Sequence, residues 1–305
     1  MARGMYRRPR HISTNAFGVA KARLLSLTDR LKPVRGYLKR DPALAVAVFL
    51  VAGFVVVALL GNVMWSKDPL AVDVGAALEP PSTDHPLGTD GAGRDILARV
   101  IAGARISLTA ALIVVVLGGI VGGSIGMIAG VTRATDGILM RSMDALLAFP
   151  PLILAMAVTL GLGVGLSSAT IGIAISSVPY YARLMRSEVL KTRSLPHVEA
   201  AVAVGASRKR ILLRHILPHA SSTMLVQAAA LFGVAILSLA GLGFVGLGAQ
   251  IPTPEWGTMI TDGLQYTLTG QWWVAVMPGM GILVAVLTAN LLADRLQDVL
   301  VGRHG

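Results

Sequence analysis

The sequence predicts an all-α polytopic membrane protein with six transmembrane helices. Three observations carry that expectation. Of 305 residues, 54% are hydrophobic and 14% charged, where an ordinary soluble domain carries roughly 25% charge. Charge-free runs long enough to cross a bilayer as helix, about 20 residues, recur along the chain. The net charge of +11 is also unevenly placed, with basic and acidic stretches alternating between the apolar runs, as short loops do when Lys and Arg stay on the cytoplasmic side.

The elements follow in order. Residues 1–42 form a basic tail, with eleven Lys/Arg before position 41 against the single acid Asp29. The first span covers 43–64. A forty-residue polar lead makes it too deep in the chain, and too long, for a cleaved signal peptide. The acidic segment 65–105 contains Pro69, Pro80, Pro81 and Pro86 and reads as irregular chain with interfacial turns. The second span takes 106–132. The charge-free run 145–182 is too long for one span and breaks at the glycines between 161 and 165, followed by Ser167 and Ser168, giving spans at about 143–160 and 168–188. A basic loop fills 186–219. The fifth span lies at about 220–240 and ends or bends in the glycine-rich 241–248; an acidic loop, 249–272, and a last span at about 274–293 follow. The core of five spans is thus 106–293, and 294–305 is a tail. With the basic segments inside, both termini are cytoplasmic.

Several function classes drop out. At mid-depth the spans lack Asp, Glu, Lys, Arg and His, which ion-driven transporters and voltage sensors need there. No phosphate loop of the GxxxxGK[ST] type is present. Gly241-Leu-Gly-Phe-Val-Gly246 matches a dinucleotide fingerprint by letter but follows a span, so it reads as packing or a helix end. His215 and His219 have chelate spacing, but Pro218 lies between them and no zincin Glu accompanies them, so two loop histidines are expected. No metal site, cofactor site or catalytic constellation can be assembled. The basic stretches mostly lack the interleaved aromatics of a nucleic-acid surface. Cysteine is absent, so there is no disulfide scaffold.

Other features suggest contacts. Gly118, Gly122, Gly126 and Gly130 strip one helix face of side chains, for packing within the chain or at a subunit interface. Ser176, Ser177, Tyr180 and Tyr181, beside Pro179, are candidates to line a pathway. Residues 199–218, EAAVAVGASRKRILLRHILP, read as a short helix, a turn at Gly205, a basic helix, and Pro218 opening the next span. Small Ala200 and Ala201 offer a surface onto which a partner can pack.

That segment resembles the EAA loop of membrane subunits of binding-protein-dependent ABC importers. His85-Pro-Leu-Gly-Thr-Asp90, Gly93-Arg94-Asp95 and Gly103-Ala-Arg-Ile-Ser107 resemble the dipeptide/oligopeptide permease C-subunits. So do 241–248 with Pro252-Thr-Pro-Glu-Trp-Gly257, and Trp272-Trp273 with Pro278-Gly279. The resemblance covers about 85–300. The sequence departs from the family pattern at His219, Ala289 and Ala293. The resemblance implies a type I ABC importer transmembrane domain in a bacterial cytoplasmic (inner) membrane.

It also implies partners: a homologous B-type permease, two ABC ATPases that bind ATP and Mg, and an extracytoplasmic peptide-binding protein. Glu199, Ala200, Ala201 and Gly205 would couple to an ATPase, with Arg208, Lys209 and Arg210 facing acidic groups and Pro218 closing the loop. Asp90, Arg94, Asp95, Glu255 and Trp256 would meet the binding protein, and the basic tail would lie against anionic lipid. Related permeases carry nickel, glutathione or haem, so cargo stays open. A passive channel or structural membrane protein is the alternative class.

Overall fold

A computed structural model describes residues 41–300. Residues 1–40 of the basic tail, 1–42, and residues 301–305 lie outside them. Contacts divide the chain into an N-terminal unit, 1–46, and a second unit, 47–305. In the first, Asp41 accepts the amides of Ala43 (3.0 Å) and Leu44 (3.1 Å) and so caps α1, Pro42–Met64. A capping carboxylate followed by Pro at the first helical position is a strong helix start.

The described part of the second unit is helical, with one isolated bridge between Thr89 and Asp95. α2 (Ile96–Val131) begins well before the expected position 106. Arg99 and Arg105 interrupt the charge-free run there, but Asp95 caps the helix by accepting the Ala98 amide at 2.8 Å. At 1.5 Å per residue its 36 residues extend about 54 Å. α3 (Arg133–Leu147) and α4 (Pro151–Leu162) meet at 91°. The expected span at 143–160 is therefore broken, because Pro150 and Pro151 cannot continue a helix. α4 rises only about 18 Å, short of the ~30 Å hydrocarbon core. α3 is clipped to α5 (Leu166–Arg193) by Arg186, which donates two bonds to Asp136 at 2.5 and 2.6 Å, and by Arg183 to Asp144 at 2.5 Å.

The loop after α5 holds α6 (Pro196–Ala203) and α7 (Arg208–Ile211). α7 runs through a π-helical turn, Leu212–Ile216, into α8 (Leu217–Phe244), making one continuous span, Lys209–Phe244. Pro218 thus lies inside a span that has already begun. It has no N–H for Arg214, and its ring would crowd that carbonyl; the wider turn opens the needed space. α9 (Trp256–Thr267) and α10 (Trp273–Leu300) complete the bundle.

Among the described residues, four helical stretches are long and apolar enough to cross a membrane, and the α3–α4 pair makes a fifth candidate. α5, the remaining expected span, has the length, but Ser167, Ser168, Thr170, Ser176, Ser177 and Arg183 lower its apolarity. It is instead sheltered by protein, with Ile173, Ala174, Val178, Ala182, Met185 and Val189 buried.

The glycine stripe of α2 explains that shelter. A Cβ on Gly118 would strike Ser177 Oγ, and one on Gly122 would lie 2.7 Å from Tyr181 Cβ. One on Gly126 would strike the Ala182 carbonyl and sit 2.9 Å from Met185 Cβ, and one on Gly130 would sit 2.7 Å from Val189 Cβ. Both partner series climb together in fours, so α2 and α5 run parallel, nearly backbone to backbone. The stripe is an intramolecular seam. At its far end Arg193 Nη1 donates to the Gly130 carbonyl at 2.8 Å. The main core is correspondingly rich in alanine, with Ala104, Ala111, Ala155, Ala169, Ala235 and Ala285 around Ile236, Leu239 and Trp256.

Candidate functional site

Three places can do work: a polar platform at the start of α2, a cavity midway along the bundle, and the basic loop at the far end of the α2–α5 seam.

Asp95 is the hub of the platform. Beyond capping α2, it accepts Trp65 Nε1 at 3.1 Å, pairs with His85 Nδ1 at 2.8 Å, and has Lys67 Nζ at 3.5 Å. Asp90 accepts the Ala92 and Arg94 amides (2.9 and 3.0 Å) and Arg94 Nε at 2.7 Å, with Arg99 Nε at 3.4 Å. Arg99, which is buried, also donates to the carbonyls of Pro69 (3.2 Å) and Pro252 (3.3 Å), tying three segments together.

Glu255 caps α9 by accepting the amides of Gly257 (2.9 Å) and Thr258 (3.0 Å), and the Ser107 hydroxyl lies at 3.3 Å. Burial pushes its carboxyl above the usual range, against the pull of those amides and that hydroxyl. The Trp256 indole donates to the Val100 carbonyl at 3.0 Å. It fits between Gly103 and Gly281, where added Cβ atoms would lie 2.9 and 3.0 Å from its ring.

The residues expected to meet a binding protein all belong to this platform. Glu255 and Trp256 are each 1% exposed, Asp90 and Asp95 are also buried, and Arg94 is only half-buried. They hold the platform together. Asp95→Ala should remove both a cap and the partner of Trp65 and His85, costing about 2–4 kcal/mol. Asp95→Asn, which keeps the cap, should cost less. Thermal unfolding of the detergent-solubilised protein checks the order.

The glycines of 241–248 end α8. Gly246 has φ +80°, its amide donates to the Gly243 carbonyl at 3.0 Å, and Leu247 donates to Leu242 at 2.8 Å. This is a Schellman turn, with the usual apolar contact of the two leucines. Gly243 and Gly257 allow α9 to approach α8 closely.

Midway along the bundle, a cavity of about 250 Å³ is bounded by α2, α4, α5 and α8. The four pathway candidates, Ser176, Ser177, Tyr180 and Tyr181, all line it, together with Ser238. Pairing of α5 with α8 brings Ser238 in, which sequence spacing alone does not reveal.

In the basic loop, α6 ends at Gly205 with φ +81°. The Gly205 amide donates to Val202 (2.9 Å) and that of Ala206 to Ala201 (3.0 Å), a second Schellman turn. No atom lies within 4 Å of a Cβ built on Gly205, so backbone geometry alone requires glycine within this chain. Val198 is buried beneath α6, over a pocket of about 540 Å³ that Val131, Arg193 and Ile216 also line.

Outward, Glu199, Ala200, Lys209, Arg210 and Pro218 are exposed, and Ala201 is half-buried. Val202 and Val204 are also exposed, Val204 at 85%. These two valines are additions to the expected coupling surface; their exposure depends on where the Gly205 turn cuts the helix. Arg208 stands at the start of α7. His215 sits against His197, ring centroids 5.9 Å apart, across the loop.

A bundle of long apolar helices, with a buried polar platform and an exposed basic helix–turn–helix, defines a polytopic membrane protein. Residues 122–304 match the family of binding-protein-dependent transport system inner membrane components, and the chain belongs to that family. It is 39% identical to the probable D,D-dipeptide transport system permease protein DdpC of Escherichia coli (strain K12), over 88% of this chain and 90% of the relative. It is 38% identical to the glutathione transport system permease protein GsiD of Pectobacterium atrosepticum, over 87% of this chain and 88% of the relative. Its fold is similar to a solved inward-facing structure of the MetNI methionine ABC transporter, with a TM-score of 0.56 over 67% of this chain and 97% of that one at 20% identity.

Proposed function

We propose that this permease carries dipeptides and short oligopeptides across a bacterial inner membrane as half of a two-permease pathway. ATP hydrolysed by two separate ATPase subunits drives it through the 196–210 loop. The reading is carried by the dipeptide relative, which matches nearly end to end. The loop supports the coupling role, since it exposes small and apolar residues beside Lys209 and Arg210. With that loop cytoplasmic, both termini are cytoplasmic and the platform faces outward, toward a peptide-binding protein. ATP and Mg would reside on the ATPases. The glutathione relative supports a second cargo, itself a peptide.

Proteoliposomes holding this chain with a homologous permease and two ATPases should take up a dipeptide only with ATP and the binding protein. Competition between dipeptide and glutathione would then rank the cargoes. Peptide flux through this chain alone, without ATP, would mark it as a passive channel and overturn the proposal.

A further inference from the structure

We infer that the charged pocket between α3 and α5 is an exit subsite, where Arg141, Asp144 and Arg183 receive the charged ends of a peptide leaving the cavity beside it. The inference rests on the peptide-permease reading above and adds a second station to its pathway.

The pocket, of about 500 Å³, is lined by Asp136, Met140, Arg141, Asp144, Arg183 and Arg186. Its size falls within the roughly 300–1,000 Å³ of whole-ligand sites. It adjoins the hydroxyl-lined cavity along both walls. On α5, Ser176 and Tyr180 of the cavity share one helix face with Arg183 of the pocket, at i, i+4 and i+7. On the other wall, Asp144 lines the pocket and Pro151 the cavity, one on each side of the 91° joint. Along α5 the pocket therefore lies between the cavity and the basic loop.

The cavity offers hydroxyls and no charge, so the ammonium and carboxylate of a peptide cross it uncompensated. The pocket is the next place along α5, and it holds both signs. Arg183 Nη2 donates to Asp144 Oδ1 at 2.5 Å, with the side chains 54% and 57% exposed. Asp144 Oδ2 remains open as an acceptor, and Arg183 Nε and Nη1 remain open as donors. Arg141 is exposed, with no hydrogen bond or ion pair among the described residues. Arg186, by contrast, is committed to Asp136 through both Nε and Nη2. Arg141 and Arg183 can take a carboxylate and Asp144 Oδ2 an ammonium, the two charges of a peptide.

Packing accounts for little of this arrangement. Exposed ion pairs add little stability, and a clip between α3 and α5 has no use for Arg141. The two carboxylates also disfavour a purely anionic ligand.

Arg141→Gln, studied in the fully assembled transporter, is the test, because it breaks no contact among the described residues. Dipeptide uptake should fall roughly two- to fivefold, the worth of one exposed charge pair, and Arg141→Lys should retain most of it. The melting temperature should hold within about 2 °C. A transported dipeptide with a benzophenone side chain, photolysed during ATP-driven uptake, should label Met140, and should do so less in Arg141→Gln.

Unchanged uptake in Arg141→Gln would overturn the inference. So would label absent from α3 and α5, or lower uptake accompanied by a lower melting temperature or by loss of the partner permease. Phosphatidylethanolamine retained by the purified wild type, lost from Arg141→Gln and not displaced by dipeptide would give the pocket to a lipid headgroup and overturn it too. Failure of the wild-type transporter to take up peptide would instead sink the functional reading itself.

Discussion

Gly126→Val is expected to leave little folded permease in the membrane. The atoms it would meet are the Ala182 carbonyl oxygen and, at 2.9 Å each, the Ala182 carbonyl carbon and Met185 Cβ. Backbone cannot rotate aside as a flexible side chain can, so two long helices would have to separate. Overpacking in cores costs about 1–3 kcal/mol, and a backbone obstruction puts this case at or above the top of that range. Against a net stability of about 5–15 kcal/mol, the loss should lower the melting temperature by roughly 6–12 °C. Gly137 is the control, because nothing lies within 4 Å of a Cβ there and it sits inside α3. Gly137→Ala should be neutral or stabilise by about 0.5–1 kcal/mol. Equal melting of Gly126→Val and wild type would contradict the seam.

Gly205→Pro should abolish uptake while the chain still inserts. Proline holds φ near −65°, whereas this position has φ +81° and donates its amide to Val202. The substitution removes both the left-handed turn and a hydrogen bond, and α7 would leave α6 in another direction. Asn tolerates the left-handed region, so Gly205→Asn should retain much of the activity if geometry is the whole requirement. Glu199→Lys should impair coupling in another way, by placing a cation in the first turn of α6 against the helix dipole. Substrate-stimulated ATP hydrolysis and peptide uptake, compared with membrane content, separate these cases. Normal coupling in Gly205→Pro would remove the loop from the mechanism.

Much of the architecture is legible in the residues, because a bilayer imposes long apolar runs. The middles of the spans other than 143–160 are found that way, and the turn at Gly205 is read from the glycine itself. The helix starts are harder, since charge was read as a boundary. Arg99 lies inside α2 because Asp90 and two carbonyls surround it, which depends on distant segments. Asp95 and Glu255, each directly before a helical run, carry an N-cap signal; read only as charges, they do not disclose the buried caps they make. The adjacent Pro150 and Pro151 also announce the 91° break that the unbroken apolar run conceals. Ser238 and the exposed Val202 and Val204 gain meaning only once helices pair and turns are placed.

The parallel seam between α2 and α5 has a mechanical consequence. Two helices joined backbone to backbone behave as a spliced beam, with α2 anchored to the platform at one end by Asp95 and Arg99 and the pair fastened at the other by the Arg193–Gly130 contact. Such a beam transmits a push without absorbing it. Compliance has to sit in the neighbouring joint at Phe149 and Pro150, where no helical hydrogen bonds carry across the bend. If the basic loop takes the push of an ATPase, as proposed, the beam should tilt as one piece, with α4 swinging on its proline joint.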